Sequence, residues 1–276
     1  MVEYDLYMFP KSNHLGAVLE FSFNSLSHAY GRAFLRHVVL RHPLRTLRGL
    51  LTYYWTLRAN QPEQRLLFPD NWHGTNAFVA HAAADAKRLL VGTGFCLKPL
   101  CAAGSTCDCP AGRFNHDCLY LSRLELGSPS EAQFQPACAD CSIRVLGHAA
   151  LRAGASFAVL TSALDIAHDI LLPALEERRF TRVLFAICPY SVEPMSLALL
   201  ICGMEGYLFH YHAGSCVNYY QWLRADGGDK PERTVVSPQS MVRLLGLLEA
   251  IAAHRYSYVG TQPERYQQVS HIFQPR

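Results

Sequence analysis

The sequence predicts an α/β fold: a small parallel sheet with crossover helices, preceded by a helical N-terminal region and a cysteine-rich irregular segment. Three observations carry that expectation. Between residues 141 and 225, short runs of β-branched and aromatic residues alternate with longer stretches of helical period, the pattern of parallel strands joined by helical crossovers. The first 90 residues repeat apolar positions at helical spacing. Between them, residues 91–140 hold Cys96, Cys101, Cys107, Cys109 and Cys118 among glycine, proline and polar residues, with little periodicity. With 276 residues, half of them hydrophobic, the chain is long enough to bury a sizeable core.

Element by element, 24–40 (NSLSHAYGRAFLRHVVL) and 43–58 (PLRTLRGLLTYYWTLR) read as helices, with Asn24 a candidate cap and Pro43 tolerated in a first turn. Leu35, Val38 and Val39, then Leu44, Leu47, Leu50 and Leu51, supply their apolar faces. Residues 61–74 read as a loop and 75–90 as a further helix, which closes a mainly helical lead-in over 1–90. After the cysteine-rich segment 91–140 comes the α/β core, 141–225. It holds helix 141–153, strand 156–161, helix 164–179, strand 182–187, helix 194–203, strand 206–212 and helix 216–224. Residues 226–276 add a loop, a last helix over 239–255 and a polar tail.

The chemistry is expected from the cysteines. The N-terminus lacks a basic patch followed by an apolar run, and no stretch approaches about 20 uninterrupted apolar residues, so the expected address is cytoplasmic. Ten cysteines in a reducing compartment read as core residues, redox groups or metal ligands rather than a disulfide framework. In a parallel sheet each strand ends, and each following helix begins, at one edge. Cys138 and Cys141 flank the start of a helix, Cys188 follows the strand RVLFAI, and Cys216 follows the strand GYLFHYH after a short turn. Helix N-termini favour thiolate and donate hydrogen bonds to sulfur. Cys138, Cys141, Cys188 and Cys216 are therefore the candidate ligands of one metal centre, either an iron–sulfur cluster or a tetrahedral zinc ion. A second site is drawn from Cys96, Cys101, Cys107, Cys109 and Cys118, with His116 as a nitrogen ligand; the spacing matches no ferredoxin or two-knuckle zinc run. Cys202, in an apolar helix, reads as core.

Other signals are weaker. His210 and His212 share a strand face close to Cys216, and His148 and His168 fall on helices; all four read as structural. The G-x-G of VGTGFC lacks a third glycine, and G-x-S-x-G, phosphate-loop and H-E-x-x-H motifs are missing from the sequence. Between Glu20 and Glu63 there is no acidic residue, while Arg32, Arg36, Arg41, Arg45, Arg48 and Arg58 all fall there. Such a basic helical arm suits an anionic membrane surface or an acidic partner, and the neighbouring Tyr53, Tyr54 and Trp55 favour an interface over nucleic acid.

The order CADCSIRVLG, FAVLTS, RVLFAICPYSV and HAGSCVNYY, spanning about a third of the chain, resembles the uncharacterised prokaryotic family catalogued as domain of unknown function 116. The resemblance marks Cys138, Cys141, Cys188 and Cys216 and implies a cysteine-rich, cytoplasmic or membrane-associated protein that binds metal or an iron–sulfur centre. The expected function is an iron–sulfur protein, with one 4Fe-4S cluster or two, in electron transfer with a protein redox partner or as the cluster-bearing part of a redox or sulfur-transfer enzyme. The alternatives are a structural zinc scaffold that binds a partner and a thiol–disulfide protein using Cys138 and Cys141.

Overall fold

The computed structural model describes residues 14–57, 64–67, 74–100, 108–125, 136–259 and 265–276. Its centre is a mostly parallel sheet in the order β1-β5-β4-β2-β3-β8-β7. The parallel strands are β2 (Leu89–Gly94), β3 (Ser156–Leu160), β4 (Arg182–Ile187) and β5 (Glu205–Ala213). Antiparallel additions flank them: β1 (Gln64–Leu66) along β5, and the hairpin β7 (Tyr266–Val269) and β8 (Ile272–Pro275) along β3. The short β6 (Val235–Val236) pairs with the far end of β5.

Strand alternation divides the interior into two layers, because successive side chains point to opposite faces. Leu89, Val91, Phe157, Val159, Leu184, Ala186, Tyr207 and Phe209 face one way, toward α4 (Gly74–Ala84), α5 (Leu119–Arg123), α6 (Ser142–Ala153) and α11 (Pro238–Val259). Leu90, Ala158, Leu160, Val183, Phe185, Ile187 and Leu208 face the other way. There they meet α1 (His14–Ser25), α3 (Pro43–Thr56), α8 (Leu172–Glu177) and α9 (Pro189–Ile201). α2 (Ala29–Phe34) runs on through a π turn (Leu35–Val39), and α7 (Ala163–Ile166) is joined to α8 by a second π turn (Ala167–Leu171). Pro173 cannot donate to the turn before it, and the wider π turn takes up that missing bond. Ser162 caps α7 through a reciprocal bond with Asp165.

Several expectations are corrected. The helix predicted over 75–90 stops at Ala84, and Leu89–Gly94 is the central strand of the sheet rather than part of an irregular segment. Gly92 lies against the Phe185 ring, 2.8 Å or less from where a Cβ would stand, so this strand gives up side chains to let its neighbour's aromatic ring pack over it. Helix α9 begins at Pro189 and α10 at Tyr219 (Tyr219–Asp226), not at 194 and 216. Part of the loop at 61–74 is strand β1, and the expected polar tail folds back as β7–β8.

Helix α3 departs from expectation most. Its buried side is Gly49, Tyr53 and Thr56, while Leu44, Leu47, Leu50 and Leu51 are exposed. Gly49 rests on Ile201 of α9, where a Cβ would come within 2.6 Å of the Ile201 Cα. Behind it, Arg65 of β1 is fully buried: its guanidinium donates to the Thr56 carbonyl and hydroxyl and faces Glu193 of α9 at 3.6 Å. The Tyr53 hydroxyl donates to the same Glu193 carboxylate at 2.5 Å. These groups pin the helical layer to the sheet edge.

Candidate metal centre

The strand order brings together thiols that are remote in sequence, in a grouping different from the expected one. Cys96 follows β2, Cys188 follows β4 and Cys216 follows β5, and these three strands are adjacent in the sheet. The Cys188 side chain faces and interacts with both Cys96 and Cys216, and the Cys216 amide reaches its sulfur at 3.5 Å. Cys138 and Cys141 share their electrostatic surroundings with Cys109 and Cys118 instead. The structure therefore sorts the described thiols into a set of three and a set of four. Cys202 stands apart in the core of the other layer, and Cys101 and Cys107 lie outside the described residues.

The four-thiol set is built on helix starts. Cys141 is the N-cap of α6 and Cys118 the N-cap of α5, so the first-turn amides of Ile143 and Arg144, and of Tyr120 and Leu121, lie near the sulfurs and favour the thiolate form. The Arg144 side chain closes the Cys138–Cys141 loop by donating to the carbonyls of Cys138 and Ala139, both at 2.7 Å. Burial raises Cys118 to about 12 and also raises Cys138 and Cys141, because without a cation a thiolate has little solvent to lean on. Lys98, 1% exposed, is held beside them by bonds to the Gly112 and Asn115 carbonyls and the Asn115 side chain. Burial lowers its pKa, and the charges of Cys109, Cys118 and Cys141 oppose that shift.

In the three-thiol set the ionisation runs the other way. The hydrogen bond from Cys188 brings Cys96 down to about 7 against its burial, with help from Thr234, Lys230 and Tyr211. Cys216 is lowered first by Cys188 and then by Lys230, and Cys188, which faces both thiols, is raised well above a free thiol. Tyr211 is wholly buried, its hydroxyl bound to Thr93 at 3.0 Å and to the Gly94 amide at 2.7 Å. In the reduced, metal-free chain, alkylation of Cys96 should rise through pH about 7, since thiolate is the reacting form. Cys202, raised to about 12 by burial, should stay unmodified there. Mass mapping after a pH series checks this, and Lys230→Met should move the Cys96 midpoint upward; modification of Cys202 ahead of Cys96 would contradict it.

Sequence reasoning missed Cys96 as a member of this set, together with Tyr211, Thr234 and Lys230. The signal for Cys96 was present: LLVGTGFC repeats the order of RVLFAIC, an apolar strand followed by cysteine. In FHYHAGSC the histidines His210 and His212 are the conspicuous residues, yet the one that reaches the thiols is Tyr211, on the opposite face. His116 does not join the second thiol set. Its Nδ1 meets the Val159 carbonyl at 2.8 Å, its ring stacks on His271, and with Asp165 these two form the one group of three metal-type ligand atoms within 4.8 Å of one another among the described residues.

The three thiols border a cavity of about 330 Å³. Its walls are mostly apolar, from Val18, Phe21, Leu35, Leu50, Met195 and Ile201, with Lys230 and Tyr211 near the sulfurs. That volume and lining suit a small-molecule site. No family model, no curated protein and no solved structure matches the chain. Among the described residues, no helix is long and apolar enough to cross a membrane.

Proposed function

We propose that the chain is an iron–sulfur protein with two cysteine-built positions. Cys109, Cys118, Cys138 and Cys141 would hold a cluster closed by four thiolates, and Cys96, Cys188 and Cys216, which line the cavity, would hold a cluster through three, so that one iron would lack a protein thiolate. The observation that carries the reading is the gathering of seven of the eight described cysteines into these two sets at the C-terminal end of the parallel strands. The helix starts at which Cys118 and Cys141 stand, and the buried Lys98 ammonium beside them, are surroundings that favour an anionic thiolate centre.

When bound, such clusters supply one-electron chemistry, and an iron without a fourth thiolate accepts a ligand. The chain's own part is to balance charge with Lys98 and Lys230, to hold the Cys138–Cys141 loop with Arg144, and to shield the thiols from water. A protein redox partner and a role in electron transfer, or in a redox or sulfur-transfer enzyme, are parts of the same proposal.

Anaerobic purification with iron, sulfide and zinc analysis tests it. Iron and acid-labile sulfide in equal amounts with a broad absorption near about 400 nm are expected, and Cys141→Ala and Cys216→Ala should each remove about half of the iron. A colourless protein carrying zinc would overturn the reading in favour of a structural scaffold. Metal-free activity through a Cys138–Cys141 disulfide would replace it with a thiol–disulfide protein.

A further inference from the structure

The cavity and α3 belong to one surface, and its composition is inverted for a water-facing helix. Leu44 is 81% exposed, and Leu47, Leu51, Tyr54 and Trp55 are all more than half exposed. At 100° per residue these five fall on one stripe opposite Gly49, Tyr53 and Thr56. Leu40, just before the helix, is 68% exposed and extends the stripe. A contiguous apolar patch of this kind marks an interaction surface. Arg36, Arg41, Arg45 and Arg48 are exposed around it; Arg41 is shared with Glu176 at 3.1 Å, and no acidic residue lies in the chain between Glu20 and Glu63. Leucine in the middle, aromatic rings beside it and arginines flanking it match the layers of a bilayer surface, from acyl chains through the interface to anionic headgroups.

The mouth of the cavity opens in this same layer. Leu26, Leu35 and Leu50 line the cavity and are themselves between 37% and 42% exposed. The buried part of the lining, where β2, β4 and β5 end, carries the thiols Cys96, Cys188 and Cys216 with Lys230 beside them. An apolar entrance leading to a polar, thiol-bearing end suits an amphiphile that enters head first while its aliphatic part lies along the leucines and continues into the bilayer.

We infer that the α3 stripe seats the protein on an anionic phospholipid bilayer and that the cavity takes a single-chain amphiphile from it. This deepens the reading above by naming the ligand class of the three-thiol site, and its readouts do not depend on iron. The 276-residue chain as isolated is floated with phosphatidylglycerol/phosphatidylcholine vesicles and with phosphatidylcholine vesicles. Binding to the anionic vesicles is expected, weakened by salt, with the bound fraction falling about tenfold in Leu44→Glu/Leu51→Glu. Dansyl-undecanoate should gain fluorescence on binding. Ala198→Phe, which narrows the cavity wall, should abolish that gain and leave flotation unchanged.

Equal flotation of the wild type and the double variant, or probe binding indifferent to Ala198→Phe, would overturn the inference. So would a dimer in sedimentation that Leu44→Glu/Leu51→Glu dissociates, which would assign the stripe to a second copy of this chain. Circular dichroism of both variants separates misfolding from loss of binding, and Leu47→Glu gives the same test if the double variant fails to fold. Iron measured on the same samples keeps the two readings apart: flotation and probe binding without iron would sink the cluster assignment alone.

Discussion

Glu193→Ala should lower the stability of the chain by about 3–5 kcal/mol, because it strands a fully buried guanidinium. Arg65 cannot lose its proton, and it has no exposed surface through which water could replace the carboxylate. The same change leaves the Tyr53 hydroxyl without its acceptor. The double variant Arg65→Met/Glu193→Leu removes both charges and should recover most of the loss, since apolar residues of similar volume often match a buried ion pair. Glu176→Ala, which breaks only the exposed pair with Arg41, should cost less than about 1 kcal/mol. Urea midpoints of the four reduced proteins at one pH check the series. A single variant no weaker than Glu176→Ala would show that Arg65 keeps its hydration, against the packing described. Because Tyr53 and Thr56 sit on α3, the weakened chain should lose protection in that helix first.

Gly206→Ala should be the costliest single-methyl addition in the sheet, at about 3 kcal/mol. Gly206 has φ +146, which side chains rarely adopt, and an added Cβ would stand 1.9 Å from the Val183 carbonyl oxygen on the neighbouring strand. Neither backbone yields easily, for Gly206 pairs with Val183 in register and its own carbonyl receives the Leu67 amide at 2.9 Å. The displaced strands are β4 and β5, which end at Cys188 and before Cys216, so on the proposed reading the variant should also lose iron from the three-thiol set. Gly246→Ala is the contrasting case. It lies exposed in α11 with nothing within 4 Å of its missing Cβ, and it should gain about 0.5–1 kcal/mol from helix propensity. Denaturation of the pair reads both signs.

How much of the fold is legible in the chain depends on which forces are local. β3, β4 and β5 are continuous apolar runs set between helical segments, and they stand where expected because a strand buried on both faces writes its position directly into composition. β2 is hidden because Gly92 and Gly94 dilute its apolar signal and Leu89–Leu90 continue the helical period of α4. That one strand decides the site: it inserts between β3 and β4 and brings Cys96 to Cys188. Cys138 and Cys141 are recognisable as a helix-start pair, yet strand order is a long-range property, and it sends them to Cys109 and Cys118. The leucines of α3 illustrate a different limit. Periodicity shows that Leu44, Leu47 and Leu51 share a face, but when the opposite side offers Gly49 and Tyr53 it does not say which side turns inward.

The two π turns carry a consequence for how this protein could diversify. In Leu35–Val39 the Leu40 amide reaches back five residues to the Leu35 carbonyl, and in Ala167–Leu171 the Leu172 amide does the same to Ala167. Leu35, Val39, Ala167 and Leu171 all line the cavity. A π turn holds one residue more than an α-helix would use for the same span. The width of the cavity is therefore written partly as chain length rather than side-chain size. Deleting one residue from either turn would restore α geometry and remove the bulge from the cavity wall while the helix on each side keeps its register. Single-codon insertions or deletions in these two helices would therefore change the shape of the cavity wall and leave every thiol untouched.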